Sequence, residues 1–176
     1  MMRRILLVDD EQNVLNALVR AMRQHLAIPG LEVATYTDPF DALTQCTERN
    51  YDIVISDFRM PQMTGVEFLH AFKQAAPDTV RMMLSASTEF ETVTSAIAEA
   101  QVFRYIPKPW SVGDLQENIR LALEYRDQLV EQRRLADRQR RQDGQLSAQE
   151  LEARQLEAEE PGLLKVKWGP NGEIIL

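Results

Sequence analysis

Ile53-Val54-Ile55-Ser56-Asp57 runs straight into Phe58-Arg59-Met60-Pro61, with Gly65 a little further on. An apolar run that stops at a carboxylate and a turn places that carboxylate at the C-terminal edge of a buried strand. Open α/β sheets carry their chemistry at that edge. A second run, Ile5-Leu6-Leu7-Val8, ends in Asp9-Asp10-Glu11. Two strands that deliver carboxylates to one edge make a site for a hard cation. A carboxylate beside such a cation can attack a phosphoryl group.

The pattern around these runs alternates in type. Arg4–Val8 reads as a strand, and Asn13–His25 carries Val14, Leu15, Leu18 and Met22 at helical spacing. Pro29-Gly30 turns the chain into a short strand, Leu31–Thr35. Asp38-Pro39 then opens a helix to about Thr47, with Asp38 as N-cap and Pro39 at the first helical position. Ile53–Ser56 is the third strand, Thr64–Gln74 a helix and Val80–Leu84 the fourth strand. A helix over about Glu89–Glu99, a fifth strand over Val102–Ile106 and a last helix from near Val112 follow. Strict alternation predicts an α/β fold: a five-stranded parallel sheet, doubly wound, with every strand end on one edge.

Composition narrows the function classes. The 176 residues allow one core and an appendage, and 44% hydrophobic content is globular. A net charge of −7 argues against nucleic-acid binding, which needs a basic footprint. No run approaches membrane-spanning length. Met1-Met2-Arg3-Arg4 and the four apolar residues after it mimic a signal peptide, but Asp9-Asp10-Glu11 cut the run short. The single cysteine, Cys46, fits a reduced, cytoplasmic setting. His25 and His70 have no partners at metal-ligand spacing and read as ordinary helix-surface residues.

The strand ends collect a specific set of residue types: Asp9 and Asp10 after the first, Asp57 on the third, Ser85 on the fourth, and Tyr105 leading to Lys108 on the fifth. Clustered carboxylates repel one another and call for a cation, and oxygen-only ligands favour magnesium. A hydroxyl and an ammonium at the same edge suit the oxygens of a transferred phosphoryl group. Taken singly, Lys108 is a loop lysine and Asp9-Asp10 a chance pair. All of them in order, on successive strand ends, are not.

This set closely resembles the receiver domain of two-component response regulators. The matching residues are Leu6-Leu7-Val8-Asp9-Asp10-Glu11, Asp57-Phe58-Arg59-Met60-Pro61 with Gly65 and Glu67, Leu84-Ser85-Ala86, and Tyr105-Ile106-Pro107-Lys108-Pro109-Trp110. The likeness covers about Arg3 to Glu124 and implies a flavodoxin-like fold. It implies that Asp57 accepts a phosphoryl group from a sensor histidine kinase. Asp10, Asp57 and the Arg59 backbone carbonyl would bind Mg²⁺ directly, and Asp9 would hold a metal-bound water. Ser85 and Lys108 would contact the phosphoryl oxygens, and Tyr105 would be the aromatic switch residue. Ser85 stands where the family more often has threonine. The segment Phe103–Trp110 is similar to receivers that precede cyclic-di-nucleotide phosphodiesterase domains of the HD-GYP type, or that sit near sensor kinases.

The expected organisation is a receiver over 1–124, a helical extension over 125–160 and a β-hairpin tail over 161–176. Leu115, Ala122, Leu129 and Ala136 recur every seven residues, but the companion column Asn118, Tyr125, Gln132, Gln139 is mostly polar. A solvated extension and a coiled-coil homodimer through this helix both stand open. The arginine-rich stretch Arg126–Arg141 is interleaved with acids and reads as a solvated face. Gly144 is expected to break the helix. Ser147-Ala148-Gln149-Glu150, a capping box with Leu146 and Leu151 placed as a staple, would start a short second helix to about Glu159. Leu164, Val166 and Trp168 then alternate with lysines before the turn Gly169-Pro170-Asn171-Gly172, which predicts a hairpin anchored by Trp168. A lone hairpin needs a surface to pack on.

Two function classes follow. One is a phosphorylation-switched module, itself no enzyme beyond its own phosphorylation and dephosphorylation, that signals to a downstream protein target. The other is an aspartyl-phosphate phosphatase of related topology. That class wants a second acid two residues after a nucleophile on the first strand, and Glu11 directly follows Asp9-Asp10. Stoichiometry separates them: a switch takes up one phosphoryl group, whereas a phosphatase turns over an external substrate.

Overall fold

The computed structural model describes residues 1–86, 94, 98–159, 167–168 and 174–175. Five parallel strands form one sheet: β1 (Arg3–Val8), β2 (Leu31–Tyr36), β3 (Ile53–Asp57), β4 (Val80–Ala86) and β5 (Arg104–Lys108), in the order β2-β1-β3-β4-β5. The helices are α1 (Gln12–His25), α2 (Pro39–Glu48), α3 (Gly65–Ala75) and α4 (Val112–Glu159). Of the helix expected over about Glu89–Glu99, Thr94 and residues 98–100 are described and helical; the rest lies outside the described residues.

Burial on both faces follows from the period of two along each strand. Leu6, Val8, Val54 and Met83 face one cluster, completed by Phe68, Leu69 and Phe72 of α3 and by Ala42 and Cys46 of α2. Their neighbours Ile5, Leu7, Ile53, Ile55, Met82 and Leu84 face the other, completed by Leu15, Leu18 and Met22 of α1 and by Leu115, Ile119 and Ala122 of α4. The order 2-1-3 reverses direction at β1, so a crevice opens beyond the C-terminal ends of β1 and β3.

Local signals set the helix starts. Asp38 accepts a hydrogen bond from the Phe40 backbone amide at 2.8 Å, with Pro39 inside the first turn as expected. Thr64 and Glu67 form a reciprocal capping box at the start of α3. At the opposite edge from the crevice, Arg3 makes two bonds of 2.8 Å to Asp127 of α4. Asp52 accepts from the Arg4 amide at 2.9 Å and pairs with Arg3 at 3.5 Å and Arg126 at 3.8 Å. These contacts fasten the first part of α4 to the sheet.

Two expectations about the C-terminal segment need correction. The helix does not end at Gly144; α4 is helical from Val112 to Glu159, and no separate second helix starts at Ala148. One glycine in an exposed helix costs only about 1 kcal/mol relative to alanine, and glutamines, arginines, alanines and leucines surround it without a proline. The capping-box residues then simply continue the helix. The seven-residue column also has a different use. Leu115 and Ala122 are 1% and 0% exposed and belong to the core, with Leu129 packed against it. They attach α4 to the sheet and are not free for a dimer seam.

The chain divides into two compact units, Met1–Val130 and Glu131–Leu176. In the second, β6 (Lys167–Trp168) and β7 (Ile174–Ile175) pair antiparallel, with Trp168 opposite Ile174. The hairpin was legible in the sequence; its turn, and the packing expected of Trp168, lie outside the described residues.

Because Leu115 and Ile119 sit in the core and Leu135 is 51% exposed, truncation should act unequally. Leu115→Ala or Ile119→Ala should cost about 2–5 kcal/mol of fold stability. Leu135→Ala should stay within about 0.5 kcal/mol. Chemical denaturation of each variant checks this.

Candidate functional site: a carboxylate cluster bridged by Lys108

Register explains why the predicted residues converge. Val8 pairs with Ser56, so Asp9 and Asp57 leave neighbouring strands at the same level. Asp57 pairs with Leu84, Ser85 with Pro107 and Ala86 with Lys108. Asp57, Ser85 and Lys108 therefore occupy the same end of β3, β4 and β5.

Lys108 crosses that edge. Its Nζ lies 2.7 Å from Asp57 Oδ1 and 2.8 Å from Asp9 Oδ2. The other Asp9 oxygen accepts from the Glu11 backbone amide at 2.9 Å, which satisfies a side chain with no solvent exposure. Asp10 is exposed at the rim. Asp9, Asp10 and Asp57 each offer an oxygen within 4.8 Å of the others. The Ser85 hydroxyl, 2% exposed, donates to the Ala86 carbonyl at 3.0 Å. Tyr105 is half-buried on β5 and packs against the α3 face of the core. Arg59 lies exposed in the loop after β3.

The electrostatics of Asp57 are set by burial first. Desolvation pushes its carboxyl above the ordinary carboxylate value. The Lys108 hydrogen bond pulls it down, and the negative charges of Asp9 and Asp10 push it up again. Burial by itself would lower Lys108, but its bonds to Asp57 and Asp9 outweigh that and hold the ammonium above its usual value. Two carboxylates act on the one ammonium. Lys108 is thus a fixed cation, and Asp57 a carboxylate whose charge is expensive without a further cation.

Sequence reasoning identified these side chains but not the backbone that holds them. The Phe58 amide donates to the Leu84 carbonyl at 2.9 Å and the Gly65 amide to the Phe58 carbonyl at 2.8 Å. A Cβ on Gly65 would overlap the Asp57 carbonyl oxygen and come within 3.0 Å of Phe58 Cα. Gly65 is therefore required by close approach: α3 begins against the main chain of Asp57 itself. The direct Lys108–Asp9 bond was also missed. Sequence placed both residues at one edge but carried no sign that they touch.

The response regulator receiver domain model matches residues 5–120. This chain belongs to that family. The receiver is 32% identical over 120 residues to the hydrogenase transcriptional regulatory protein HoxA of Cupriavidus necator, across 68% of this chain and 24% of HoxA. It is 30% identical over 139 residues to the cyclic di-GMP phosphodiesterase response regulator RpfG of Xanthomonas campestris pv. campestris, across 77% of this chain and 36% of RpfG. Among solved structures, the signal receiver domain of an HD domain-containing protein from Pseudomonas fluorescens Pf-5 superimposes with a TM-score of 0.66 at 32% identity, covering 74% of this chain and 93% of that one. The chain thus spans well under half the length of HoxA and RpfG. Among the described residues no helix is long and apolar enough to cross a membrane.

A raised carboxyl pKa has a definite linkage sign. The contribution of Asp57 to stability is fully present below the ordinary carboxylate pKa and is lost as pH rises through the higher folded-state value. At neutral pH its charge destabilises the fold. Asp57→Asn should therefore raise the melting temperature at pH 7 by a few degrees, the size of a change of about 1 kcal/mol in a chain of this length. The gain should vanish near pH 3. Gly65→Ala should lower it at both pH values. Thermal scans at the two pH values check all three.

Proposed function

We propose that this chain is a phosphorylation-controlled switch in which Asp57 accepts a phosphoryl group from the phosphohistidine of a sensor histidine kinase. The observation that carries the reading is the bridge of Lys108 to Asp57 at 2.7 Å and to Asp9 at 2.8 Å, at the crevice of the sheet. In the transfer a bond forms between an Asp57 carboxylate oxygen and phosphorus. The bond from phosphorus to the imidazole nitrogen breaks, and the imidazole keeps the electron pair and takes up a proton. Phosphoryl transfer needs positioning and charge neutralisation more than covalent help from the protein. The rigid strand ends supply the first, and Lys108 supplies part of the second.

A Mg²⁺ ion fits the donor set, because three carboxylates within 4.8 Å are hard oxygen ligands in excess of the one ammonium that balances them. Asp10, Asp57 and the Arg59 backbone carbonyl would hold it directly, and Asp9 through a water. When bound, such an ion would neutralise phosphoryl oxygens and offset both the burial and the neighbouring carboxylate charge that raise Asp57. Lys108 and Ser85 then contact those oxygens. The Ser85 hydroxyl gives up the Ala86 carbonyl to do so, and Tyr105 turns inward against the core. The readout is a two-state shift of the receiver surface, not a reaction on an external substrate. This reading sets the protein in the cytoplasm. A kinase acts upstream, a protein target downstream, and α4 beyond the receiver is the segment that reaches a partner or a second copy.

With acetyl phosphate and magnesium, intact mass should show one added phosphoryl group on the wild type and none on Asp57→Asn. Ser85→Ala should still be modified but should lose the change at Tyr105, followed by its ring resonances. Uptake by Asp57→Asn equal to wild type contradicts the assignment, and repeated turnover of the phosphodonor without accumulation points to a phosphatase.

A further inference from the structure

Every residue of α4 from Glu131 to Gly144 is exposed. Two ion pairs run along this stretch, Arg134–Glu131 at 3.1 Å and Arg140–Asp137 at 3.6 Å. Such pairs add a few tenths of a kcal/mol each. A helix polar on all sides is marginal in water, and its stability comes from packing against something. The column at Leu115, Ala122 and Leu129 is already spent on the core.

A second column begins where the first ends. Leu135, Gln139, Gln142, Leu146, Gln149, Ala153 and Leu156 alternate in steps of four and three, the spacing of a coiled-coil seam, and none is charged. Leu135 is half-exposed and lies on that seam. Charge is distributed unevenly beside it. Glu131–Asp143 holds five arginines against three acids, +2; Glu150–Glu160 holds five glutamates against one arginine, −4. The block centres lie about 17 residues apart, roughly 26 Å along a helix, well beyond the Debye length of about 8 Å. Pairs such as Arg134–Glu131 and Arg140–Asp137 neutralise part of the basic block from within, but the two blocks are too far apart on one helix to neutralise each other. A parallel pair would set like against like. An antiparallel pair sets each basic block against the acidic block of its mate.

We propose that α4 from Leu135 to Leu156 is an antiparallel pairing surface for a second copy of this chain. In that register position 146 stands opposite position 149 of the second copy, and position 139 opposite position 156. Polar residues at seam positions fix register in coiled coils, and the seam carries three glutamines. The proposal deepens the reading of α4 as a partner-reaching segment. It does not depend on phosphorylation, so it is tested on Asp57→Asn as well as on wild type.

The test uses the full chain with Cys46→Ala. Sedimentation should show a dimer for wild type and for Asp57→Asn alike. Reversing Arg133, Arg138, Arg140 and Arg141 to Glu should weaken the dimer at least about tenfold. Adding Glu150→Arg, Glu152→Arg, Glu157→Arg and Glu159→Arg to that variant should restore it. Raising the ionic strength from about 0.02 M to about 0.5 M should weaken wild type as well. Under oxidation, Gln139→Cys mixed with Leu156→Cys should form a mixed disulfide dimer, and neither should cross-link readily with itself. A wild-type chain that stays monomeric overturns the proposal. So does self-cross-linking of Gln139→Cys, which reports a parallel pair, or a charge-reversed variant that dimerises as well as wild type.

Discussion

Three carboxylates meet at one end of the sheet, and a single ammonium holds two of them. That bridge, Lys108 to Asp9 and Asp57, is the constraint on which the rest of the site depends. Like charges about 4 Å apart repel by about 4 kcal/mol at an effective dielectric of about 20. A parallel sheet has no freedom to splay its strand ends to relieve that repulsion. The register of β1, β3 and β5 sets the separation, and the two packed faces lock the register. The fold thus delivers negative charge to a fixed place and neutralises it incompletely. In the proposed activity, a cation and Lys108 together stabilise the phosphoryl group at that place.

The same constraint accounts for what could be read from the chain in advance. Strand and helix types and the identity of Asp9, Asp10, Asp57, Ser85 and Lys108 follow from period, punctuation and residue type, each a local property; the strand order is a property of the folded sheet. Strand ends were placed less well. β4 runs on to Ala86 and β5 starts at Arg104, not Val102, because cross-strand pairing decides where a ladder stops. Gly65 could be noted but not explained, since its role is a contact with the main chain eight residues earlier. Arg81 was invisible: a charge in an apolar strand, 7% exposed, whose guanidinium caps the carbonyls of Ala100 and Thr79 at 2.9 and 2.8 Å.

The C-terminal helix shows how one periodic signal is compatible with more than one surface until burial decides. The column at Leu115, Ala122 and Leu129 is apolar because it faces the sheet. Its seven-residue spacing invites a coiled-coil reading that burial removes. Gly144, read as a breaker, is absorbed where neighbouring residues favour helix. With the first column used and the helix unbroken, the polar-rich seam from Leu135 onward becomes the face left for a partner.

Lys108 partly neutralises a buried Asp57 carboxylate crowded by Asp9 and Asp10. The carboxyl ¹³C resonance of Asp57, titrated with pH in wild type and in Lys108→Met without divalent cations, tests it directly. The pKa should lie above the ordinary carboxylate value in wild type and rise further in Lys108→Met. An Asp57 that titrates at the ordinary value, unmoved by loss of Lys108, would contradict it.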